Sequence, residues 1–114
     1  MRPIRAVRLA HQLQQEIALI IQRELKNPRV GFVTVTRVEL SKDVRHAKVF
    51  FSCLGDQAAV RRSQNALEHS KTFIRGLIKK RFRLRVIPEV TFRYDEAIAG
   101  AIRLGEALDH LTDH

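Results

Sequence analysis

This chain has no tryptophan, a single cysteine and no long hydrophobic run. Its one cysteine, Cys53, excludes an internal disulfide framework of the kind that holds small secreted domains together. No apolar run approaches the roughly 20 residues that a transmembrane helix needs, and no hydrophobic signal segment follows Met1. The sequence therefore predicts a cytoplasmic protein that does not cross a membrane.

Catalytic and metal-binding motifs are also lacking. His110 and His114 have the i, i+4 spacing of a helical metal site, but no third ligand accompanies them. Gly100 and Gly105 have the separation of a phosphate-binding loop, yet no lysine follows the second glycine. The carboxylates that remain stand alone in the sequence, with no evident partner: Glu39, Glu89 and Asp95. We expect no enzyme, no cofactor, no metal and no small-molecule substrate.

Positive charge is what the chain has in excess. Twenty-one lysines and arginines against twelve acidic residues give a formal net charge of +9. Such an excess favours binding to nucleic acid or to an anionic surface, although it carries no information about the fold. Apolar residues recur in regular patterns between the basic ones, unlike in a basic disordered tail. A chain of 114 residues can bury one modest core, so we expect a single domain spanning residues 1–114.

Residues 67–94 change from a helical to an extended pattern and carry the densest charge. Apolar residues recur every three or four positions as far as Phe82, and from Leu84 to Tyr94 they alternate with polar ones. We therefore predict a helix and a strand with a shared core that includes Phe73, Ile74, Leu77, Ile78, Leu84, Val86 and Phe92. Seven basic residues lie between positions 71 and 85, an interval that contains no acid: Lys71, Arg75, Lys79, Lys80, Arg81, Arg83 and Arg85.

The remaining segments predict further helices and a hairpin. A helix runs from about residue 6 to 26, and residues 32–40 and 47–53 alternate as two antiparallel strands. A bulge near Thr36 brings the two halves of the first strand into one phase. Asp56 is placed to cap a helix over 57–69, and Asp95 to cap a weaker helix over about 96–111. The class is α+β, in the order α-β-β-α-α-β with a C-terminal helix.

Two blocks of the sequence, Glu16–Ser52 and Phe73–Asp95, resemble the ribosome-binding factor A family. The runs NPRVGFVTVTRVELSKD and RLRVIPEVTF carry this resemblance, and the order of elements is that of a type II KH domain. The resemblance implies one KH-like domain with a three-stranded sheet and a core of about residues 5–95. It also implies a monomeric, non-catalytic factor that binds the immature 30S subunit and its 16S rRNA, assists late maturation and processing, and supports growth in the cold.

The junction Ser70–Lys71–Thr72 departs from the pattern of that family. Ordinary KH modules place a Gly-x-x-Gly loop between two helices, and the family resembles an interrupted helix with an Ala-x-Gly kink. This chain has no glycine there, so the hydroxyls of Ser70 and Thr72 must compete for backbone groups. We predict that this junction breaks or bends one long helix without any glycine, and that both halves stay packed on the sheet.

Basic side chains from three segments are the candidates for RNA contact. The first group is the seven cations between residues 71 and 85, of which we expect Arg75, Lys79, Lys80 and Arg83 to touch RNA; the alternative is a solvated helix face. The hairpin supplies Arg29, Arg37, Lys42, Arg45 and Lys48. Protection of a strand edge by charge explains the hairpin group equally well. The start of the first helix supplies Arg2, Arg5 and Arg8, where positive charge opposes the helix dipole.

Two questions stay open in the sequence. Phe50 points away from Phe51 along its strand, so it either packs under the first helix, which we favour, or stacks on a base. A permanent, basic, KH-like component of the ribosome is the alternative function, and a partner of DNA is a weaker one.

Overall fold

The structure, a computed structural model, describes residues 4–97. The described elements are α1 (Ile4–Leu19), which continues through a π-helical turn (Ile20–Glu24), β1 (Val33–Leu40), β2 (His46–Cys53), α2 (Gln57–His69), α3 (Lys71–Arg81) and β3 (Glu89–Tyr94). The fold is α+β and has the predicted order. Most of the predicted C-terminal helix, with Gly100 and Gly105, lies outside the described residues, as do Arg2, His110 and His114.

Within the described residues the sheet has three strands in the order β1-β2-β3. β1 pairs with β2 in antiparallel fashion, and β2 pairs with β3 in parallel. Val35 lies opposite Phe51 and Arg37 lies opposite Phe50, which leaves Thr36 as an extra residue. The predicted bulge is therefore confirmed. Its effect is to return Val38 to the buried face that Val35 occupies.

The core lies between the helices and one face of this sheet. One apolar stripe runs through α1 and the π-helical turn and is buried at Leu13, Ile17, Ile20 and Ile21. The stripe meets alternate residues of the strands and the inner faces of α2 and α3: Val35, Val38, Leu40, Ala47, Val49, Phe51, Leu67, Ile74, Ile78, Val90 and Phe92. The pattern of period four in the helices and period two in the strands thus reproduces the observed core.

The prediction for the third strand was wrong at its start. β3 begins at Glu89, and residues 82–88 are not a strand. In this segment the backbone carbonyl oxygens of Ile87 and Pro88 accept hydrogen bonds from the Arg75 guanidinium, each at 3.1 Å. Val86, a predicted core residue of this segment, is consequently 49% exposed. Phe73, a predicted core residue of α3, is 47% exposed.

The turn between β1 and β2 is built around Asp43. Its Oδ1 accepts a hydrogen bond from the Ser41 hydroxyl at 2.6 Å and another from the backbone N–H of Arg45 at 3.1 Å. These two hydrogen bonds hold the pKa of the Asp43 carboxyl below its ordinary value. Val44 takes a positive φ of 60°, which a β-branched residue adopts only when its surroundings hold it there.

Phe50 lies on the sheet face opposite the helices, and the favoured prediction that it packs under α1 was wrong. Its neighbour Phe51 is fully buried, whereas Phe50 is half-buried. The guanidinium carbon of Arg37 lies 3.9 Å from the centre of the Phe50 ring. This cation–π contact shields a ring that would otherwise face water.

Between residues 4 and 97, none of the helices combines the length and the hydropathy that a membrane span requires. Among the same residues, no group of three or more histidine, cysteine or acidic side chains is placed to hold a metal ion.

Candidate nucleic-acid interface

Ser70 separates α2 from α3, as the sequence predicted. Its backbone has φ −92° and ψ 2°, and its hydroxyl donates to the carbonyl oxygen of Ala66 at 2.8 Å. The backbone N–H of Ser70 also bonds to the carbonyls of Ala66 at 3.1 Å and Leu67 at 3.0 Å. The hydroxyl of Ser70 therefore caps the C-terminal end of α2, at the position where the family pattern has a glycine kink. Thr72 is exposed, and its hydroxyl forms no hydrogen bond within the described part of the chain.

Lys71 and Arg75 are paired with acids from neighbouring elements. Lys71 forms an ion pair with Glu68 of α2. Arg75 lies 3.6 Å from Glu89 at the start of β3, in addition to its bonds with two carbonyl oxygens. Both side chains are about one-third exposed. They hold α3 against its surroundings, which the absence of acids in the local sequence did not reveal.

Arg81 bridges α3 to the first helix. Its guanidinium donates to Glu16 of α1 and to Glu24 of the π-helical turn. The hydrogen bonds to Glu24 and Glu16 raise the pKa of Arg81, so it stays charged at any physiological pH. These acids lie 65 and 57 positions away in the sequence, so no local pattern could have predicted the pairing.

The free edge of β3 is covered by side chains of α2. Gln64 Nε2 donates to the carbonyl oxygen of Phe92 at 2.6 Å, and Glu68 Oε1 accepts from the N–H of Phe92 at 3.0 Å. The other oxygen of Glu68 pairs with Lys71. Lys71 therefore helps to orient the carboxylate that closes this edge.

The other cations of residues 71–85 stay available to a partner. Lys79, Lys80, Arg83 and Arg85 are exposed, and within the described residues they take part in no ion pair. On a helix with 100° between successive residues, Lys79 and Lys80 fall on one side with three other exposed residues. We call this side the exposed α3 face; its members are Thr72, Phe73, Gly76, Lys79 and Lys80.

Gly76 is the unexpected member of that face. A helix-interior glycine costs about 1 kcal/mol relative to alanine. A Cβ added at Gly76 would meet no atom within 4 Å, so packing does not require the glycine. The sequence analysis assigned Phe73 to the core and did not single out Gly76. The signal that could have identified Gly76 is a glycine inside an otherwise good helical segment.

The hairpin cations divide between two locations. The carbonyl oxygen of Arg45 accepts from the N–H of Glu89 at 2.7 Å, which places Arg45 beside the partner of Arg75. Lys48 lies opposite Glu39 on the open face of the sheet. Three further predicted cations are exposed at the start of α1 and in the turn before β1: Arg5, Arg8 and Arg29.

The three carboxylates that looked isolated in the sequence have partners in the structure. Glu39 pairs with Arg37 at 2.6 Å, and Glu89 pairs with Arg75. Asp95 is buried, accepts from the Thr36 hydroxyl at 2.6 Å and lies 3.7 Å from the Arg37 guanidinium. Asp95 also accepts from the N–H of Ala97 at 3.2 Å, the bond expected of the predicted cap. The bulge residue of β1 is thus tied to the end of β3.

Comparison with known proteins gives a consistent result. A family model described as "Ribosome-binding factor A" matches residues 5–108. Ribosome-binding factor A of Nitrosomonas europaea is 41% identical over 105 residues, which cover 92% of this chain and 90% of that relative.

Solved structures agree with the sequence relatives. The crystal structure of ribosome-binding factor A from Thermus thermophilus superposes with a TM-score of 0.69 at 27% identity, covering 78% of this chain and 94% of that one. A homology model of the Thermus thermophilus protein, fitted into a cryo-EM map of a 30S–RbfA complex, superposes with a TM-score of 0.63 at 28% identity. It covers 76% of this chain and 91% of its own.

Proposed function

The chain belongs to the ribosome-binding factor A family, and on that basis we propose that it is a non-catalytic assembly factor for the small ribosomal subunit. It binds the immature 30S subunit through 16S rRNA and assists the late maturation and processing of that RNA. The relative seen in a 30S complex supports the choice of partner. We further propose that it acts as a monomer in the cytoplasm and that its loss slows growth most in the cold.

One observation carries the assignment to RNA. Lys79, Lys80, Arg83 and Arg85 remain exposed and without an acidic partner among residues 5–97, although acids elsewhere in the fold pair with their neighbours Lys71, Arg75 and Arg81. Four cations within seven positions form a local positive field that suits a polyanion. Contacts of this kind with phosphates supply affinity and fix position, but they read little sequence.

The experiment compares two double variants that change the charge equally. In Lys79→Ala/Lys80→Ala two cations of the exposed α3 face are lost, and in Arg61→Ala/Arg62→Ala two exposed cations of α2 are lost. We expect the first to bind immature 30S subunits more weakly and the second to bind like the parent. Melting curves show whether both stay folded. Equal binding by all three proteins would remove the exposed α3 face from the RNA site.

Sedimentation separates an assembly factor from a permanent ribosomal component. In a sucrose gradient of cell lysate we expect the protein on free small subunits and not on translating ribosomes. Stoichiometric presence on translating ribosomes would contradict the proposal and favour the structural role.

A further inference from the structure

We propose that the exposed α3 face holds an unpaired segment of RNA, with one base stacked on Phe73 and the sugar–phosphate backbone crossing Gly76 toward Lys79 and Lys80. This inference rests on the proposed function and names the form of RNA that the site selects. One side of the helix presents, in order, an exposed aromatic ring (Phe73), a position without a side chain (Gly76) and two cations (Lys79 and Lys80).

Phe73 presents a ring that the core does not use. It is nearly half exposed, while its neighbour Ile74 is fully buried. The ring lines a cavity of about 390 Å³ with the end of the π-helical turn and the segment that follows it, where Leu25 and Pro28 supply apolar walls. Such a site accepts a flat apolar group from one side and leaves its edges in water. An unpaired nucleobase has that shape and that mixture of surfaces.

The charges around this cavity favour a polyanion. Lys26 lines it and is exposed. The acid that also lines it, Glu24, forms an ion pair with Arg81, which is shared with Glu16. On the other side of Phe73, Lys79 and Lys80 lie about one to two helical turns further along α3. Positive charge therefore flanks the ring on both sides.

Gly76 leaves the helix surface between Phe73 and the two lysines without a protruding side chain. No atom lies within 4 Å of the position its Cβ would take, so the space above it is open in the folded chain. Glycine is used where another backbone approaches closely, and here the protein itself supplies no such backbone. A strand of RNA whose phosphates reach Lys79 and Lys80 passes over this position. A side chain at residue 76 would hold that strand away.

A paired RNA cannot use the site in the same way. In a duplex the faces of the bases are already stacked on each other, and a side chain at the surface reaches mainly phosphates and sugars. The lysines therefore serve single strands and duplexes alike, whereas Phe73 serves single strands only. This difference is what the test measures.

The test uses a labelled single-stranded RNA of about 12 nucleotides and a duplex of equal length, titrated at one salt concentration. Alanine in place of a stacking aromatic loses about 5- to 150-fold in affinity. We expect Phe73→Ala to lose that much for the single strand and almost nothing for the duplex. Phe32→Ala is the matched control, since Phe32 is an exposed phenylalanine that does not line the cavity beside Phe73, and it should change neither affinity.

Gly76→Gln tests the approach of the backbone independently of Phe73. It should raise the melting temperature, because glutamine is the better helix former, and weaken single-strand binding at the same time. Unchanged single-strand binding by either Phe73→Ala or Gly76→Gln overturns the inference, and so does a parent that does not bind the single strand.

Binding to 30S subunits, measured in parallel, separates the two proposals. Suppose that the parent binds subunits and that Phe73→Ala weakens subunit binding but not single-strand binding. The exposed α3 face then contacts a ribosomal protein, and the inference fails while the proposed function stands. If the parent does not bind subunits at all, the proposed function fails.

Discussion

Glu68 Oε1 accepts a hydrogen bond from the backbone N–H of Phe92 at 3.0 Å, so a carboxylate at the end of α2 caps the free edge of β3. Gln64, one helical turn earlier, binds the carbonyl oxygen of the same residue at 2.6 Å. An edge strand with open backbone groups can pair with another chain. Here two side chains occupy those groups, and the helices are held to the sheet by polar bonds as well as by the core.

Glu68→Ala should therefore destabilise the fold. Phe92 is buried, and its N–H would lose its acceptor, which typically costs about 1 to 3 kcal/mol. Glu68→Gln keeps an acceptor oxygen and should cost less. Urea denaturation of the two variants beside Glu96→Ala, an exposed acid of the described chain, measures the difference. A Glu68→Ala protein as stable as the parent would show that water replaces the carboxylate without loss.

The hydroxyl of Ser70 should contribute to stability where that of Thr72 does not. Ser70→Ala removes the bond to the carbonyl of Ala66, a net loss of about 1 kcal/mol. Thr72→Ala removes an exposed hydroxyl and should stay within about 0.5 kcal/mol of the parent. Thermal melting of both variants decides the matter. Equal melting temperatures would mean that packing alone, without the serine hydroxyl, holds the break between the helices.

Arg75 and Lys79, which were both predicted to contact RNA, should differ in what they contribute. Arg75→Ala leaves the carbonyls of Ile87 and Pro88 without their donor and should destabilise by about 1 to 3 kcal/mol. Lys79→Ala should leave stability within about 0.5 kcal/mol and weaken RNA binding. Melting and subunit binding are measured on both proteins. An Arg75→Ala protein that melts like the parent but binds weakly would restore the sequence-based interpretation.

Periodicity predicted the parts of this fold that depend on neighbours in the sequence. The bulge at Thr36 followed from a change of phase within one strand, and the break at Ser70 from a hydroxyl in a helix without glycine. Each of these signals lies within a few residues of its consequence. The elements, their order and most of the core were predictable for that reason.

Contacts between distant segments were not predictable in this way. Phe73 fits the apolar period of α3, yet the packed fold leaves 47% of it exposed, which depends on how α3 docks on the other elements. Arg81 looked free because its partners Glu16 and Glu24 belong to another helix. The candidate RNA site therefore comprises fewer cations of residues 71–85 than the sequence predicted. Its paired members support the fold, and its unpaired members remain for a partner.

The Asp43 turn should make part of the stability depend on acid pH. Because folding lowers the pKa of this carboxyl, its contribution is complete above the unfolded value of about 3.9 and is lost as the pH falls through the lowered folded value. Asp43→Asn keeps an acceptor oxygen but does not titrate. The advantage of the parent over Asp43→Asn in melting temperature should therefore shrink as the pH falls from about 5 to about 2. A difference that is constant or grows over this range would contradict the assignment.

The salt dependence of RNA binding should count the free cations. Lys79, Lys80, Arg83 and Arg85 are the members of residues 71–85 that the described fold leaves unpaired. Each cation that neutralises a phosphate steepens the fall of log K with log salt by about 0.7 to 0.9. Four contacts predict a slope of roughly −3 to −4.

The double variant Lys79→Ala/Lys80→Ala should reduce the steepness of that slope by about 1.4 to 1.8, because two counterion-releasing contacts disappear. Phe73→Ala should weaken single-strand binding but leave the slope where it was, since stacking releases no counterions. Titrations at several salt concentrations give both slopes. A parent slope near zero would mean that the cations are merely solvated. A slope unchanged in the lysine variant would place the phosphate contacts on the hairpin or on α1, where Arg45, Arg5 and Arg8 remain exposed.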